Sequence, residues 1–301
     1  MAKRIHQMTI SQWEAAFPDE DACAAYLTAN RWPGGAITCP RCGNTLIKPH
    51  GTMAFNWLCN ACSPSNTNYR FSVIAGTIFE NTNKPLRDWF RVIHLMLTSK
   101  KGISALQVHR MMGFGSYKTA WYMCHRVRAG LAKEDFRKLM GIVEVDETYI
   151  GGKDKNRHWD KKSGSTGGNS DKFIVVGAVE RKGNVVARMI ENTRTETLEH
   201  FVTQAVSTEV SLLATDEHNG YLDLKRSGYN HGSVNHRHKR YVVGAIHTNT
   251  IEGFWSLIKR GMVGTYHKVS KKYLPLYVAE FEFRYNNRSN PDIFGEAIRG
   301  C

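Results

Sequence analysis

The sequence predicts an α/β architecture, a mixed sheet flanked by helices in the second half of the chain, preceded by a cysteine-bound ribbon and a short helical pair. Three observations carry this expectation. After Gly141 the apolar pattern runs strand, strand, strand, helix, strand. Upstream, two CxxC pairs, Cys39/Cys42 and Cys59/Cys62, stand sixteen residues apart. Between these regions apolar residues recur at helical spacing on either side of a Gly113–Gly115 turn.

A chain of 301 residues has room for two or three cores. No stretch approaches the ~20 apolar residues of a membrane span, and MAKRIHQMTISQWEAAF lacks the apolar centre of a signal peptide. A cytoplasmic, nucleoid-associated protein with no membrane partner is therefore expected. The formal charge of +14 and pI near 9.5 favour a polyanionic partner, nucleic acid foremost. The basic residues are spread along the chain rather than gathered on one amphipathic helix, which argues against a lipid surface. Seven cysteines in such a chain do not suggest a disulfide framework. Cys23, Cys124 and Cys301 read as ordinary thiols.

Residues 1–35 read as a helical segment, with a capping box of Ser11 and Glu14 and a second helix opened by Asp19 or Asp21. Trp32-Pro33-Gly34-Gly35 then turns the chain. Residues 36–80 read as a zinc ribbon. Two CxxC knuckles at this separation let Cys39, Cys42, Cys59 and Cys62 meet one tetrahedral Zn2+, with TLIKPHGTMAFNWL supplying ribbon strands. A redox CxxC needs only one such pair and a βαβ surround that is missing here.

Residues 81–138 read as helical. Pro85 lies in the first turn of a helix with the stripe Leu86, Trp89, Phe90, Ile93 and Leu97. Two helices follow, with Ile103, Leu106 and Met111 set to pack against Ala120, Trp121, Cys124 and Val127. The second starts at Ser116 and carries Lys118, His125, Arg126 and Arg128, which suits a helix-turn-helix in a major groove as well as a plain helical hairpin.

Residues 139–301 read as one domain. A β-branched strand at 142–150 carries Asp146, and Gly151-Gly152 breaks it before a polar loop at 153–172. Strands at 173–180 and 184–190 form a hairpin, a helix spans 195–208, and a strand at 210–215 ends at Asp216. This order is that of the ribonuclease-H-like fold. A polar loop at 229–240 carries several histidines and reads as a phosphate-facing patch. Thr250 caps a helix at 251–261, and a last helix at 274–287 starts with Pro275 and buries Tyr277, Phe281 and Tyr285.

Between positions 225 and 272 stand ten Lys/Arg and five His, with Glu252 as the one acidic residue. It is either an ion-pair partner or a metal ligand beside a polyanion. Two-metal phosphoryl transfer needs carboxylates converging from separate elements. A ribonuclease-H-like sheet supplies one from its first strand, one from the end of its fourth and one from a later helix. Asp146, Asp216 and Glu252 occupy those places, with 69 and 35 residues between them. Glu144, Glu147, Glu217 and Asp223 are rivals. Glu144 shares a strand face with Asp146 and suits a supporting role, while Asp146 lies nearer the strand's C-terminal end, where open-sheet sites form. Lys259, seven residues after Glu252, falls on the same helix face and suits the phosphate of a DNA end. The expected catalytic set is Asp146, Asp216, Glu252 and Lys259, with Mg2+ or Mn2+ held by the three carboxylates.

CPRCG…CNAC, GTIFENTNKPLRDWF, ALQVHRMMGFGSYKTAWYMCHRVR, VDETYIGGK, TDEHNGY and HTNTIEGFWSLIKRGMVGTYHKVSKKYL…EFEFRYNNR together resemble bacterial insertion-sequence transposases of the DDE type. Those carry an N-terminal zinc ribbon and a lysine after the third carboxylate. The resemblance implies recognition of terminal inverted repeats in double-stranded DNA and Mg2+-dependent cleavage. Transfer of the 3′-OH to target DNA would follow, from a homodimer or higher assembly. Members vary at the third carboxylate, so Asn249 is a second candidate beside Glu252, and His247 is a candidate assistant. Two other readings use the same features: a non-catalytic regulator built on the ribbon and helix-turn-helix, and a nuclease of the same fold.

Overall fold

The computed structural model describes residues 8–62, 69–132, 136–151, 172–216, 219–234 and 247–301. The polar loop read at 153–172, apart from Lys172, lies outside them, as do Glu217 and positions 235–240 of the histidine-bearing loop. The chain divides into two compact units, residues 1–132 with 289–301, and residues 133–288.

The first unit opens with α1 (Ile10–Ala16) and α2 (Glu20–Arg31). The capping box of α1 is Thr9 with Gln12, at 3.1 and 3.3 Å, not Ser11 with Glu14. The earlier pair meets the same spacing rule and leaves Trp13 fully buried. Asp19 caps α2. Three antiparallel strands follow in the order β1 (Ile47–Pro49), β2 (Asn56–Cys59), β3 (Tyr69–Ser72). Helix α3 (Leu86–Thr98) buries the stripe read from its sequence, and the carboxylate of Glu20 takes its first amides, Leu86 and Arg87, at 2.5 and 3.1 Å.

Helices α4 (Ala105–Met112) and α5 (Tyr117–Leu131) meet at Gly113, whose φ of 63° ends α4 in the left-handed region. Their packing differs from the sequence reading. Val108 fills the interface, while Leu106 and Met111 are 44% and 52% exposed. Leu106 lies about 200° round the helix from Val108, so the two cannot share a buried face. On α5, His125 and Arg128 are buried, Lys118 is exposed, and Arg126 donates to the carbonyl of Glu80 at 3.0 Å. The basic face expected of this helix is reduced accordingly.

The second unit is a five-stranded sheet with β4 (Ile142–Ile150), β5 (Phe173–Glu180), β6 (Val185–Ile190), β7 (Leu212–Asp216) and β8 (His231–Val234) in the order β6-β5-β4-β7-β8. The first three pair antiparallel, and β7 and β8 run parallel to β4. An antiparallel meander extended by two parallel strands on the far side of its first strand is the ribonuclease-H-like topology. Strand β8 arises inside the stretch read as a polar loop. It is a four-residue edge strand, HGSV, with no apolar alternation to announce it.

Alternation along the strands divides the core. Val143, Val145, Val176 and Ala178 face α6 (Thr195–Ala205), with Leu198 and Phe201. Val175, Val179 and Ile150 face α7 (Asn249–Gly261) and α8 (Leu274–Asn286), with Ile251, Phe254, Trp255 and Phe281. Helix α8 also closes the sheet edge. Asn286 accepts from the amide of Val185 at 2.7 Å and donates to its carbonyl at 2.9 Å, and Glu282 accepts from the amide of Ala187 at 3.1 Å.

The sequence reading kept 139–301 together, whereas residues from 289 on pack with the first unit. There α9 (Ile293–Gly300) places Phe294, fully buried, against Phe17, Tyr26 and Phe90 at ring separations of 5.9, 5.8 and 5.6 Å. No helix among the described residues is long and apolar enough to cross a membrane.

Candidate active site

The sulfurs of Cys39, Cys42, Cys59 and Cys62 all lie within 4.8 Å of one another, with Cys39–Cys62 at 3.6 Å and Cys42–Cys59 at 3.7 Å. A tetrahedron with Zn–S bonds of ~2.3 Å has edges of about 3.8 Å, so this spacing fits a structural Zn2+. Gly43, at φ 72°, donates its amide to the carbonyl of Cys39 at 2.9 Å and turns the first knuckle. The four cysteines are the one set of three or more ligand-type side chains among the described residues that comes this close.

The carboxylates gather more loosely. Glu144, Asp146 and Thr148 share the face of β4 covered by α7. Strand β7 pairs with β4 as far as Glu144↔Ala214, and both strands run two residues further, to Asp146 and Asp216. Carrying that register on sets the two carboxylates on one face of adjacent strands, which run about 4.8 Å apart. Burial, then the charges of Glu147 and Asp216, push the Asp146 carboxyl up to about 7. The indole N–H of Trp255 opposes that rise, donating to Asp146 Oδ2 at 3.0 Å.

Trp255 reaches Asp146 because the facing position on β5 is Gly177. A Cβ there would lie 2.7 and 2.9 Å from the Trp255 ring and 3.2 Å from Ile251 Cδ1, so only glycine lets α7 lie this close. Glu252 stands one turn before Trp255 on the exposed side of α7, and accepts from the Thr248 hydroxyl at 3.2 Å. Asn249 is the first residue of the helix and exposed, and Lys259 is exposed near its end. Of the expected set, Asp146 and Asp216 come together, and Glu252 and Lys259 lie on the helix packed over Asp146. The structure gives no set of three of these carboxylates as tight as the thiolates.

Glu144 is fully buried and accepts from the amides of Thr250 and Ile251 at 2.7 and 3.1 Å, the Thr250 hydroxyl at 2.8 Å and Arg181 Nε at 2.6 Å. His247 Nδ1 lies 3.2 Å from Glu144, so this candidate assistant stands beside Glu144. Helix α7 starts at Asn249 with Thr248 as its N-cap, two residues before the cap read from sequence. On the other sheet face, Glu147 accepts from the buried Tyr221 hydroxyl at 2.7 Å. Trp255, Arg181 and Tyr221 are the functional neighbours that sequence reasoning missed. Their partners lie 109, 37 and 74 residues away, beyond any local pattern.

Asp146, Asp216 and Glu252 carry only oxygen donors, the kind a hard divalent cation takes, and such a cation would relieve an Asp146 carboxyl pushed up by burial and then by its like-charged neighbours.

Residues 138–286 match the ISXO2-like transposase domain, and residues 18–65 match the transposase zinc-ribbon domain. The chain is 27% identical over 281 residues to an uncharacterized protein in transposable element ISH50 of Halobacterium salinarum, an alignment covering 89% of this chain and 91% of that protein. Among solved structures, the catalytic core domain of BIV integrase overlaps 46% of this chain and 80% of its own at 14% identity, with a TM-score of 0.27. A simian T-cell lymphotropic virus intasome, solved with PP2A regulatory subunit B56 gamma, overlaps 59% of this chain and 67% of its own at 13% identity and a TM-score of 0.28.

Proposed function

As the chain belongs to the insertion-sequence transposases with an N-terminal zinc ribbon, we propose that it binds the terminal inverted repeats of its element and cleaves and joins DNA there with Mg2+ or Mn2+. The observation that carries this reading is the juxtaposition of Asp146 and Asp216 on neighbouring parallel strands, with the Glu252 helix locked onto Asp146 through Trp255. A regulator that only binds DNA has no use for two carboxylates set side by side on neighbouring strands.

Asp146, Asp216 and Glu252 hold the metal in this reading. When bound, the metal supplies Lewis-acid stabilisation of phosphoryl oxygens and eases deprotonation of the attacking hydroxyl. Trp255 orients the Asp146 carboxylate and, with Gly177, excludes bulk from behind it. Lys259 holds a phosphate of the DNA end. Beyond it the chain exposes Arg260, His267, Lys268, Lys271 and Lys272 with no acidic residue among them, a path for the phosphate backbone. In the first unit, the exposed Tyr117, Lys118 and Tyr122 of α5 are side chains free to read a groove. The assembly on paired ends is a homodimer or larger.

The test is to incubate the full chain with Mg2+, duplex carrying the element end and a target plasmid, and to assay nicked and joined strands. Wild type should yield both products, and D146N, D216A and E252A should retain end binding while losing both. Binding without cleavage by wild type would sink the enzymatic reading in favour of the regulator. Cleavage without joining would favour the nuclease. Cleavage surviving in both D216A and E252A would sink the site assignment.

A further inference from the structure

The N-terminus of α7 is capped in an unusual way. An N-cap side chain ordinarily accepts from the second or third amide of its own helix. Thr248 does not: its backbone, at φ −118° and ψ 18°, is not in the extended conformation of an ordinary N-cap, and its hydroxyl donates to Glu252 Oε1 at 3.2 Å. Those amides, of Thr250 and Ile251, donate instead to Glu144, a residue of β4 more than a hundred positions away, at 2.7 and 3.1 Å. The other oxygen of Glu144 accepts from the Thr250 hydroxyl and from Arg181 Nε at 2.8 and 2.6 Å. Arg181 in turn donates to the carbonyl of His247 at 3.1 Å, just ahead of the cap.

A local Ser or Asp would satisfy the same amides without burying a charge, which is costly unless fully paired. What the distant carboxylate adds is register. Two residues along the same strand face, Asp146 accepts from Trp255 at 3.0 Å. Helix α7 is therefore tied to β4 at two points, Glu144 on Thr250/Ile251 and Asp146 on Trp255, and Glu252 lies between them on a rigid rod. The Thr248 hydroxyl, at the same helix end, donates to the Glu252 carboxylate.

We infer that Glu144 is a positioning residue, which sets Glu252 at its station relative to Asp146 and thereby the geometry of the metal site; this rests on the function proposed above. It touches neither metal nor DNA.

The experiment measures Mg2+-dependent end cleavage by the full chain as wild type, E144A, E144Q and D216A over a range of Mg2+ concentrations, with end binding and thermal unfolding on the same preparations. E144A should lower the saturating rate about 10- to 100-fold and raise the Mg2+ concentration for half-maximal rate, as loss of a residue orienting a metal ligand does. End binding should be unchanged. E144Q keeps one oxygen for the amides but opposes Arg181 with a donor, and should fall between wild type and E144A. If E144A does not fold, E144Q decides. A folded variant with wild-type rate and Mg2+ dependence overturns the inference, as does lowered thermal stability with an unmoved Mg2+ dependence. A wild type that binds ends but never cleaves overturns the proposed function, and this inference with it; D216A supplies the inactive reference that separates the two cases.

Discussion

His125 sits on α5 with its imidazole buried at 7% exposure, and burial, then the neighbouring Arg128, lowers its pKa to about 4. The unfolded chain takes up a proton on this residue below about 6.5, while the folded chain resists until about 4. Its contribution to stability is thus intact above about 6.5 and is lost as pH falls through that window. Asp146 has the opposite sense. Its folded carboxyl keeps a proton up to about 7, so in the absence of metal its contribution declines as pH rises from the ordinary carboxylate range. Replacing His125 with Leu should flatten the acid side of the stability profile, by an amount on the order of 1–3 kcal/mol at pH 4.5. Thermal melts of wild type and H125L between pH 4.5 and 7.5 measure this. A wild-type melting temperature as steeply pH-dependent in H125L would count against it. Such behaviour is invisible in the sequence, where His125 reads as one more cation on a basic helix.

Elements in the second unit are joined by side chains that substitute for secondary structure. Strand β6 is an edge, and an open edge invites pairing with another chain. The amide of Asn286 answers both the N–H and the C=O of Val185 as a neighbouring strand would, and Glu282 repeats the contact two residues on at Ala187. Asn286→Ala leaves two backbone groups of β6 without these partners and should cost about 1–3 kcal/mol. Urea unfolding monitored by circular dichroism, with light scattering to follow association, checks both consequences. Unchanged stability and no gain in scattering would show that α8 covers the edge by packing alone. On the same face of the sheet, the tie between Glu144 and α7 follows the same logic.

For the molecule as a whole, the chain's last described helix returns to the unit its N-terminal residues build. Phe294 stands at the centre of an aromatic cluster with Phe17, Tyr26 and Phe90, and Asp292 caps α9 by accepting from the Gly295 amide at 3.0 Å. The first unit is therefore completed only once residues 289–301 are made. Phe294→Ala should destabilise it by about 3–5 kcal/mol through the lost burial and the cavity. In a chain of two units this should show as an early unfolding step, read by near-UV circular dichroism or proteolysis of the N-terminal residues. Cooperative unfolding at the wild-type midpoint would exclude it.

The sequence by itself determined the elements whose signals are local. Strands β4 and β5 lie where alternation and the Gly-rich breaks put them, Asp19 and Ser116 cap the helices they open, and two CxxC pairs bring four thiolates to one centre. The order of strands and helix was enough to name the topology, since few arrangements satisfy it. Tertiary structure decided what depends on distant partners. Strand β8 exists because β7 offers a parallel edge, His125 and Arg128 turn inward because α5 has to bury that face, and α7 begins at Asn249 because Glu144 meets its amides. It also separated the residues of the site, pressing Asp146 and Asp216 together while leaving Glu252 on an exposed helix turn. Helical and strand periods are written in neighbours three or two residues away, whereas a cap, a glycine under an indole or a covered edge is written in residues far apart along the chain.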